Sequence, residues 1–334
     1  MIAAPPEQRA ARPAEMRGLR RDGARLCVVE RSTRRIEHTV VSRIGEHLRP
    51  GDVLVVNSSR TLPAALLVER DDGERIQIRP VALRDGWHAI AVEPAPPHRN
   101  VAVRRGEHLS AAGLRLRVSG QRTEVPLLWK VDVESGDLLD SLLRWGEPIR
   151  YSYVPDPVAL EHYQTVYAGV PGSAETPSAG RHLTWELLDD VRRRGVGVAD
   201  VLLHCGLSSL QDDAADAGKP LIEEWFEVDE RAVRAIRAAT RVIAVGTSVV
   251  RALETTAQES HAVAATRGWT DVTITPQTRL RVVDALLTGL HEPPATHLDM
   301  LGAFIDPDLL DAAYAELRER GYLWHEFGDA MLIC

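Results

Sequence analysis

The sequence predicts a mixed α/β/α fold, in which helices cover both faces of a largely parallel β-sheet, together with a small antiparallel β-barrel. Apolar runs at residues 52–56, 196–204 and 242–245 are nearly unbroken, as is typical of strands buried inside a parallel sheet. Between residues 67 and 148, short segments alternate apolar with polar residues, and no helix separates one from the next. At 334 residues, the chain is long enough for two domains.

The segment before the change of pattern, residues 1–66, predicts the first part of the main domain. Residues 1–18 lack hydrophobic periodicity and are expected to be a loose arm. Strands are predicted at residues 25–31 and 52–56, with a helix-like segment at residues 41–48 between them. Asn57 and Arg60 follow the second strand in a polar turn. This turn either contributes to a site or only caps the strand.

The predicted barrel occupies residues 67–148. Four of its strands alternate apolar with polar residues and are separated by Asp-Gly or Pro-rich turns: residues 75–79, 87–93, 114–118 and 127–133. A helix is predicted at residues 138–145, where the chain returns to the main domain at residues 149–334.

Two histidines in Gly-rich turns dominate the central stretch of the chain. Gly and Pro predict an irregular loop at residues 169–181. Thr184 then caps a helix, and the apolar run at 196–204 is the next strand. His182 therefore precedes a helix and His204 ends a strand. Ligands of open α/β sheets gather at these strand and helix ends.

The C-terminal third repeats this arrangement. A helix is predicted at residues 229–240 and a buried strand at 242–245, after which Gly246, Thr247 and Arg251 open another helix. A strand, a glycine turn and a helix N-terminus together suit a carboxylate or a phosphate, although many proteins use such a turn for packing alone. A further strand at 279–287 and a final helix at 306–320 complete the prediction.

Composition excludes several classes of protein. The net charge is −8, from 40 basic and 48 acidic residues, which does not favour binding of a polyanion over the whole surface. The three cysteines have no CxxC spacing, so neither a zinc site, a disulfide framework nor a radical iron–sulfur mechanism is predicted. The sequence contains neither a signal-peptide pattern nor a run of 18 apolar residues, so we expect a cytoplasmic location away from membranes.

Five stretches, taken in order, resemble the S-adenosylmethionine:tRNA ribosyltransferase-isomerases, which build the cyclopentene ring of queuosine on tRNA. Together they span nearly the whole chain. Four of them are GDVLVVNSSRTLPAAL at 51–66, VIAVGTSVVRALE at 242–254, DALLTGLHEPPAT at 284–296 and FGDAMLI at 327–333. The other, second in order, begins at residue 163 and consists of YQTVYA followed by PGS, P-S-AG-x-H and LH-x-G. The resemblance also implies that the barrel is inserted into the α/β domain.

The resemblance implies a reaction in which S-adenosylmethionine donates its ribosyl group rather than its methyl group. The positive sulfur acidifies the neighbouring C5′–H, a base removes that proton and adenine leaves. The amine of 7-aminomethyl-7-deazaguanine in tRNA then attacks the sugar, methionine departs and epoxyqueuosine forms. Such chemistry requires a base near neutral pKa, a hydrogen-bond donor to adenine, and anionic or aromatic groups near the sulfonium.

The candidate site residues come from these motifs. His182, His204 and His291 are the candidate acids and bases, and their individual roles stay open. Asp284 and Asp329 either face the sulfonium, orient a histidine or cap turns. S-adenosylmethionine is the expected substrate, and no metal is expected. The remaining substrate-binding candidates are Asn57, Arg60, Tyr163, Gln164, Tyr167, Ser178, Gly180, Gly206, Gly246, Thr247, Arg251 and Thr288.

Several positions depart from the family pattern. The usual basic run is lost at residues 93–99, and Glu175 and Thr176 stand where alanines are usual. Arg181 stands at a position that is apolar in the family; it either binds a carboxylate or phosphate or, as is expected, lies on the solvated surface. Three functions therefore stay open: the tRNA-modifying enzyme, a diverged relative that cleaves S-adenosylmethionine with a small-molecule acceptor or by elimination, and a non-catalytic module that binds nucleotides or RNA.

Overall fold

The computed structural model of the chain describes residues 5–216, 219–260, 262–292 and 296–334. Residues 1–4 of the expected arm and 293–295 of the fourth motif lie outside these ranges. The strands are β1 (Arg25–Glu30), β2 (Arg35–Val40), β3 (Asp52–Asn57), β4 (Ser59–Thr61), β5 (Leu66–Arg70), β6 (Arg75–Leu83), β7 (Gly86–Val92), β8 (His108–Ala111), β9 (Leu114–Arg122), β10 (Val125–Ser135), β11 (Val170–Ser173), β12 (Gly197–Leu203), β13 (Glu224–Val228), β14 (Arg241–Val245), β15 (Thr266–Thr270), β16 (Ala285–Gly289) and β17 (Ala330–Ile333). The α-helices are α1 (Leu138–Trp145), α2 (Trp185–Arg193), α3 (Asp213–Asp216), α4 (Glu230–Ala238), α5 (Thr247–Ser260), α6 (Thr296–Leu301) and α7 (Pro307–Glu319).

The main sheet has nine strands in the order β15, β13, β12, β3, β14, β16, β17, β1 and β2. Its centre is parallel, because β12, β3, β14 and β16 run side by side in one direction. β17 runs antiparallel to β16, and β1 is parallel to β17. The carboxyl ends of the four central strands and the start of β17 therefore lie at one edge, which we call the carboxyl edge.

Helices cover both faces of this sheet. On β3, Val53 and Val55 pack in one core with α4, α5 and α7, whereas Leu54 and Val56 pack in a second core with α2. This division follows from the pleat, since successive side chains of a strand point to opposite faces. The strand predicted at residues 52–56 is confirmed, and the structure shows that it is buried on both sides.

A second sheet contains six antiparallel strands, in the order β10, β7, β6, β5, β8 and β9, and the pairing of β10 with β9 closes this order into a barrel. Their apolar side chains form a third core. The chain enters and leaves this sheet side by side, because Ala65 and Glu147 exchange two backbone hydrogen bonds of 2.9 and 2.8 Å. Alternation predicted four of the six strands; β5 and β8 were not predicted.

Two expectations for loops are wrong. Residues 5–18 are not a loose arm: they contain the 3₁₀ turns Pro6–Gln8 and Ala14–Arg17, and the Ala10 and Ala14 side chains are buried. Residues 169–181 are not wholly irregular either, because β11 pairs in parallel with β4 and Ser178–Gly180 is a 3₁₀ turn. The helix-like segment before β3 is also a 3₁₀ helix, Val41–Glu46.

The strand predicted at residues 279–287 begins only at Ala285. The preceding backbone bonds to a side chain instead of a neighbouring strand. The Glu254 carboxylate accepts hydrogen bonds from the amides of Arg281, Val282 and Val283, at 2.9 to 3.1 Å. In the part of the chain that the structure describes, no helix combines the length and apolar character needed to cross a membrane.

The junction between α1 and the main domain gives a test of packing. At Gly146, an added Cβ would lie 2.0 Å from the Pro63 carbonyl oxygen and 2.6 Å from the Leu142 carbonyl oxygen. Gly146→Ala should therefore lower the free energy of unfolding by about 2 to 3 kcal/mol. The measurement is the shift of the urea unfolding midpoint.

Gly268→Ala is the matched control, because an added Cβ at Gly268, on the edge strand β15, meets nothing within 4 Å. Its stability should stay within about 0.5 kcal/mol of the wild-type value. Equal midpoints for the two variants would contradict the close approach of Gly146 to Pro63.

Candidate active site at the carboxyl edge

The strand directions bring most of the candidate residues to the carboxyl edge. Asn57 ends β3, His204 follows β12, Gly246 follows β14, and Thr288 lies near the end of β16. Since parallel neighbours end at the same side of a sheet, these residues belong to one surface of the molecule. His204 and His291 are nevertheless separated by three strand spacings, or roughly 14 Å.

His204 is held by a chain of hydroxyl groups. Its Nδ1 lies 2.8 Å from the Ser59 Oγ, which lies 2.6 Å from the Ser173 Oγ, and the latter accepts a 2.8 Å hydrogen bond from the Cys205 amide. The imidazole covers Gly172, where an added Cβ would lie 2.4 Å from the ring. Burial lowers the pKa of His204 to about 4. The ring is therefore neutral at pH 7, and its Nε2 has no hydrogen-bond partner among the described residues.

His182 follows the 3₁₀ turn Ser178–Gly180 and is only 3% exposed. Its Nδ1 is shielded from solvent and has no partner in the described part of the chain. Burial first, and the Arg181 charge second, lower the pKa of His182 to about 4, against the opposing charge of Asp329 and a backbone hydrogen bond with Arg21. A neutral imidazole with an unused nitrogen can accept a proton or a hydrogen bond from a ligand.

Arg181 is buried rather than solvated, which corrects the sequence-based expectation; its exposed fraction is 0%. The guanidinium donates to the Glu15 carboxylate at 2.7 Å and to the His162 carbonyl oxygen at 2.5 Å. Burial alone would raise the pKa of Glu15, but the hydrogen bond and charge of Arg181 bring it down to about 2. The N-terminal segment is thus bound to the loop that carries His182.

His291 belongs to a separate group at the same edge. Its Nε2 lies 2.9 Å from the Thr288 Oγ1, and its ring stacks on His297 with centroids 4.9 Å apart. Burial holds the pKa of His291 well below its ordinary value, and the neighbouring His297 adds to this effect. The structure therefore places two of the candidates, His291 and Thr288, in direct contact.

Asn57 joins the ends of two strands rather than facing a ligand. Its amide oxygen accepts from the Leu203 amide at 3.0 Å and from the Ser59 amide at 3.1 Å. Its amide nitrogen donates to the Leu203 carbonyl oxygen at 2.8 Å and to the Ser248 Oγ at 3.2 Å. Because these bonds use both ends of the amide, Asn57 positions the site.

Three other candidates position the loop above β4. The Gln164 amide bonds to both backbone groups of Thr61, at 3.0 and 2.8 Å. Tyr163 is buried, and burial raises the pKa of its hydroxyl. Tyr167 requires glycine beside it, because an added Cβ at Gly180 would lie 2.0 Å from the Tyr167 hydroxyl. The family motif around these residues is thus explained by packing.

Arg251, a substrate-binding candidate, is bonded within the protein in this structure. Arg251 is buried, is paired with Glu224, and donates to the carbonyl oxygens of Thr270 at 3.1 Å and Val272 at 3.2 Å. Glu224 also accepts a 2.6 Å hydrogen bond from the Gly206 amide. Both candidates, Arg251 and Gly206, therefore bind a protein carboxylate rather than a ligand.

The glycine turn after β14 retains the features of an anion site. Gly246 has a φ of +91°, a conformation that favours glycine, and its amide bonds to the Leu287 carbonyl oxygen at 2.8 Å. Thr247, half-buried, begins α5, so the amides of the first helical turn point toward the carboxyl edge.

Neither acidic candidate is an unpaired carboxylate at the carboxyl edge. Asp284 lies at the amino end of β16, roughly 13 Å from Thr288, and accepts a 2.8 Å hydrogen bond from the Val242 amide. Asp329 does lie at the carboxyl edge, but it is buried in an ion pair with Arg25 at 2.8 Å and also accepts from the Leu323 amide. Asp284 is thus wrong as a catalytic candidate, and Asp329 joins β17 to β1.

Two candidates have side chains open to a ligand. Arg60 on β4 is exposed and has no ion pair among the described residues; its backbone lies opposite Pro171 of β11. Ser178 is half-buried at the start of the 3₁₀ turn, where its carbonyl oxygen accepts from the Arg181 amide at 2.9 Å.

Two cavities in the described structure are formed without the three motif histidines. A cavity of about 580 Å³ lies at the opposite edge, lined among others by Glu30, His47, Arg49 and Arg241. A much smaller one lies between Tyr151 and the loop after β11. None of the three histidines lines either cavity. Across the described ranges, no group of three histidine, cysteine, aspartate or glutamate side chains is arranged to hold a metal ion.

Sequence reasoning missed several polar residues at this edge. Ser59 and Ser173 stand inside the quoted motifs, but only the fold shows that both reach His204. Glu175 stands where the family has alanine, and this departure is the sequence signal that could have identified it as a site residue. No signal in the sequence points to Glu326, which faces the small cavity together with Glu175.

The chain is similar to known proteins over its whole length. The sequence profile of a family described as queuosine biosynthesis protein matches residues 3–333. The S-adenosylmethionine:tRNA ribosyltransferase-isomerase of Thermotoga maritima is 36% identical, over 98% of this chain and 97% of its own. That of Rubrobacter xylanophilus is 38% identical, over 98% and 95%.

A solved structure supports the same relationship. The crystal structure of S-adenosylmethionine tRNA ribosyltransferase from Thermotoga maritima shares 30% identity and a TM-score of 0.56 with this chain, covering 99% of this chain and 98% of its own. Profile, sequence and structure thus agree over nearly every residue. The chain belongs to the queuosine biosynthesis protein family.

Proposed function

We propose that the protein is an S-adenosylmethionine:tRNA ribosyltransferase-isomerase. It transfers the ribosyl part of S-adenosylmethionine to 7-aminomethyl-7-deazaguanine in tRNA and releases adenine and methionine. The observation that carries this proposal is the similarity to enzymes of that name over nearly the full length of both chains. That similarity includes the carboxyl edge, where His182, His204 and His291 lie.

The proton transfers are proposed to involve His182 and His204. Removal of the C5′ proton requires an unprotonated base. Burial keeps both imidazoles unprotonated at pH 7, although a pKa of about 4 makes each a weaker base than one with a pKa near neutral. The departing adenine requires a hydrogen-bond donor. The hydroxyl chain through Ser59 can donate to Nδ1 of His204, which leaves the proton of the ring on Nε2 and makes that nitrogen a donor. His291, bonded to Thr288, is the third proposed member of the site.

The barrel is proposed to be a separate domain at residues 67–148, inserted between 1–66 and 149–334 of the main domain. Its own apolar core supports this division. The paired backbones of Ala65 and Glu147 also support it, because an inserted domain needs its two connections side by side.

The proposed activity predicts a product pattern. When the purified protein is incubated with S-adenosylmethionine and tRNA bearing the aminomethyl base, adenine and methionine should appear in equal amounts. Without that tRNA, adenine should stay at the background level, because the acceptor amine is needed to complete the transfer. Both products are quantified by chromatography.

The same assay identifies the other functions. Adenine released without tRNA would instead support cleavage of S-adenosylmethionine with a small-molecule acceptor or by elimination. A protein that releases no adenine under either condition would be a binding module, and the proposal would be rejected.

Gly172→Ala should disable the site without a change in charge. The added Cβ would overlap the His204 ring at 2.4 Å and displace it from Ser59. Misplacement of a reacting group by about 1 Å costs roughly 100-fold in rate, so adenine release should fall by about that factor. The rate is measured at saturating substrate.

Gly169→Ala, in the same loop, is the control. The nearest atom to its added Cβ is the Tyr167 carbonyl oxygen at 4.0 Å, so the rate should stay near the wild-type value. A Gly172→Ala variant as fast as this control would remove His204 from the proposed site.

The buried His182 should make stability depend on pH. Its folded pKa of about 4 lies below its ordinary value of 6.5, so protonation favours unfolding. The stabilisation is fully present above pH 6.5 and is lost as the pH falls toward 4. Between pH 7 and pH 5, the free energy of unfolding of the wild type should fall by up to about 2 kcal/mol more than that of His182→Gln. The measurement is urea unfolding at both pH values. Parallel losses in the two proteins would show that His182 is not buried in its neutral form.

A further inference from the structure

The small cavity beside the His204 hydroxyl chain is lined by two glutamates and two tyrosines. Its lining includes Thr61, Tyr151, Tyr163, Glu175, Thr176 and Glu326. It lies where the segment leaving the barrel, the loop after β11 and the loop before β17 meet. Its volume is about 10 Å³, the space of one water-sized group.

Tyrosine hydroxyls orient both carboxylates. Tyr151 donates to Glu175, whose same oxygen accepts a 3.0 Å hydrogen bond from the Ser208 amide. Tyr153 donates to one oxygen of Glu326 at 2.5 Å. The Glu326 carboxylate also accepts a hydrogen bond from its own backbone amide. These bonds hold the two acids in defined positions on either side of the cavity.

The cavity also contains a polar atom without a partner. The Thr176 Oγ1 is shielded from solvent, yet it makes no hydrogen bond within the described ranges. A buried hydroxyl in this state normally bonds to a water or a ligand. This observation is independent of the two acids and indicates that the cavity accepts a polar group.

No basic side chain in the described ranges forms an ion pair with Glu175 or Glu326. Burial, followed by the charge of Glu175, raises the pKa of Glu326 to about 7, and burial also raises the pKa of Glu175. Both carboxylates are half-buried and repel each other, and the charge of Lys219 acts on Glu175 without a direct ion pair, so ionisation of both acids is costly for the folded protein. A positively charged group between them would remove this cost.

The size and chemistry of the cavity select the kind of cation. A sulfonium carries three carbon substituents and no N–H, so it is too large and cannot donate to a carboxylate. A primary ammonium is the size of water and donates three hydrogen bonds. Stacked rings also lie beside the acids, because Tyr153 packs on Tyr151 at 5.8 Å and on His325 at 4.5 Å. Aromatic faces favour ammonium groups.

We propose that Glu175 and Glu326 bind a primary ammonium group of a substrate in the cavity between them. Resting on the proposed function, two ammonium groups qualify: the aminomethyl group of the acceptor base and the α-ammonium of S-adenosylmethionine. Ala174 and Thr61, which line the cavity, are close in sequence to Ser173 and Ser59 of the His204 hydroxyl chain. The ammonium group is thus bound next to the proposed catalytic histidine.

The test compares Glu175→Gln and Glu326→Gln with the wild type. Glutamine keeps the shape and still accepts from tyrosine, but it lacks the charge. Dissociation constants are measured by calorimetry for S-adenosylmethionine, its analogue without the α-amino group, tRNA with the aminomethyl base and tRNA with a nitrile in its place. Glu124→Gln is the control, since Glu124 is exposed in the turn between β9 and β10 and loses the same charge.

The four ligands form two pairs, each with and without the ammonium group: S-adenosylmethionine with its deaminated analogue, and the aminomethyl tRNA with the nitrile tRNA. In at least one pair, the ligand with the ammonium group should bind both glutamine variants at least about tenfold more weakly than it binds the wild type. The ligand without that group should bind the variants and the wild type equally. A loss confined to S-adenosylmethionine assigns the donor's α-ammonium, and a loss confined to the aminomethyl tRNA assigns the acceptor. Thermal unfolding verifies that both variants fold.

Two results would overturn the inference: glutamine variants that bind every ligand as Glu124→Gln does, or equal weakening for ligands with and without the ammonium group. Failure of the proposed function is recognised separately. A wild-type protein that releases no adenine refutes the activity, whereas an active wild type with unaffected glutamine variants refutes only the ammonium site.

Discussion

The alignment of four parallel strand ends positions the candidate site. β12, β3, β14 and β16 are neighbours that run in one direction, so the chain leaves all of them at the carboxyl edge. Asn57 joins two of these ends through hydrogen bonds to both backbone groups of Leu203. Because this contact sets β3 against β12, Ser59 and His204, which follow these strands, come within hydrogen-bond distance.

Burial then determines the chemistry at this edge. His182 and His204 lie in surroundings that disfavour charge, which keeps both imidazoles neutral and able to accept hydrogen bonds at pH 7. The same burial would destabilise Arg181, but Glu15 pairs with it and brings the N-terminal segment against the site. Glu175 and Glu326 are the exception, since neither forms an ion pair with a basic side chain among the described residues; Lys219 acts on Glu175 only through its charge. The edge therefore contains both neutral imidazoles and carboxylates without a direct ion pair.

Local sequence patterns predicted the regular elements well. Thr184 caps α2 through its hydrogen bond to the Leu187 amide, and α1 occupies the residues that its periodicity indicated. Predictions failed where a distant side chain replaces a local partner. Glu254 binds the backbone before β16, and Glu224 pairs with Arg251, which spacing along the chain had assigned to a ligand. Asp284 failed because the direction of β16 places it at the far edge.

Apolar periodicity and motifs, which are properties of neighbouring residues, were enough to predict the fold class, the family and the polar residues at strand ends. The contacts among those residues depend on how the whole chain folds. Ser59, Ser173 and His204 are far apart in the chain, as are Glu175 and Glu326, and strand order and direction bring each set together. Burial likewise depends on distant packing, so the protonation of the histidines follows from the folded chain alone.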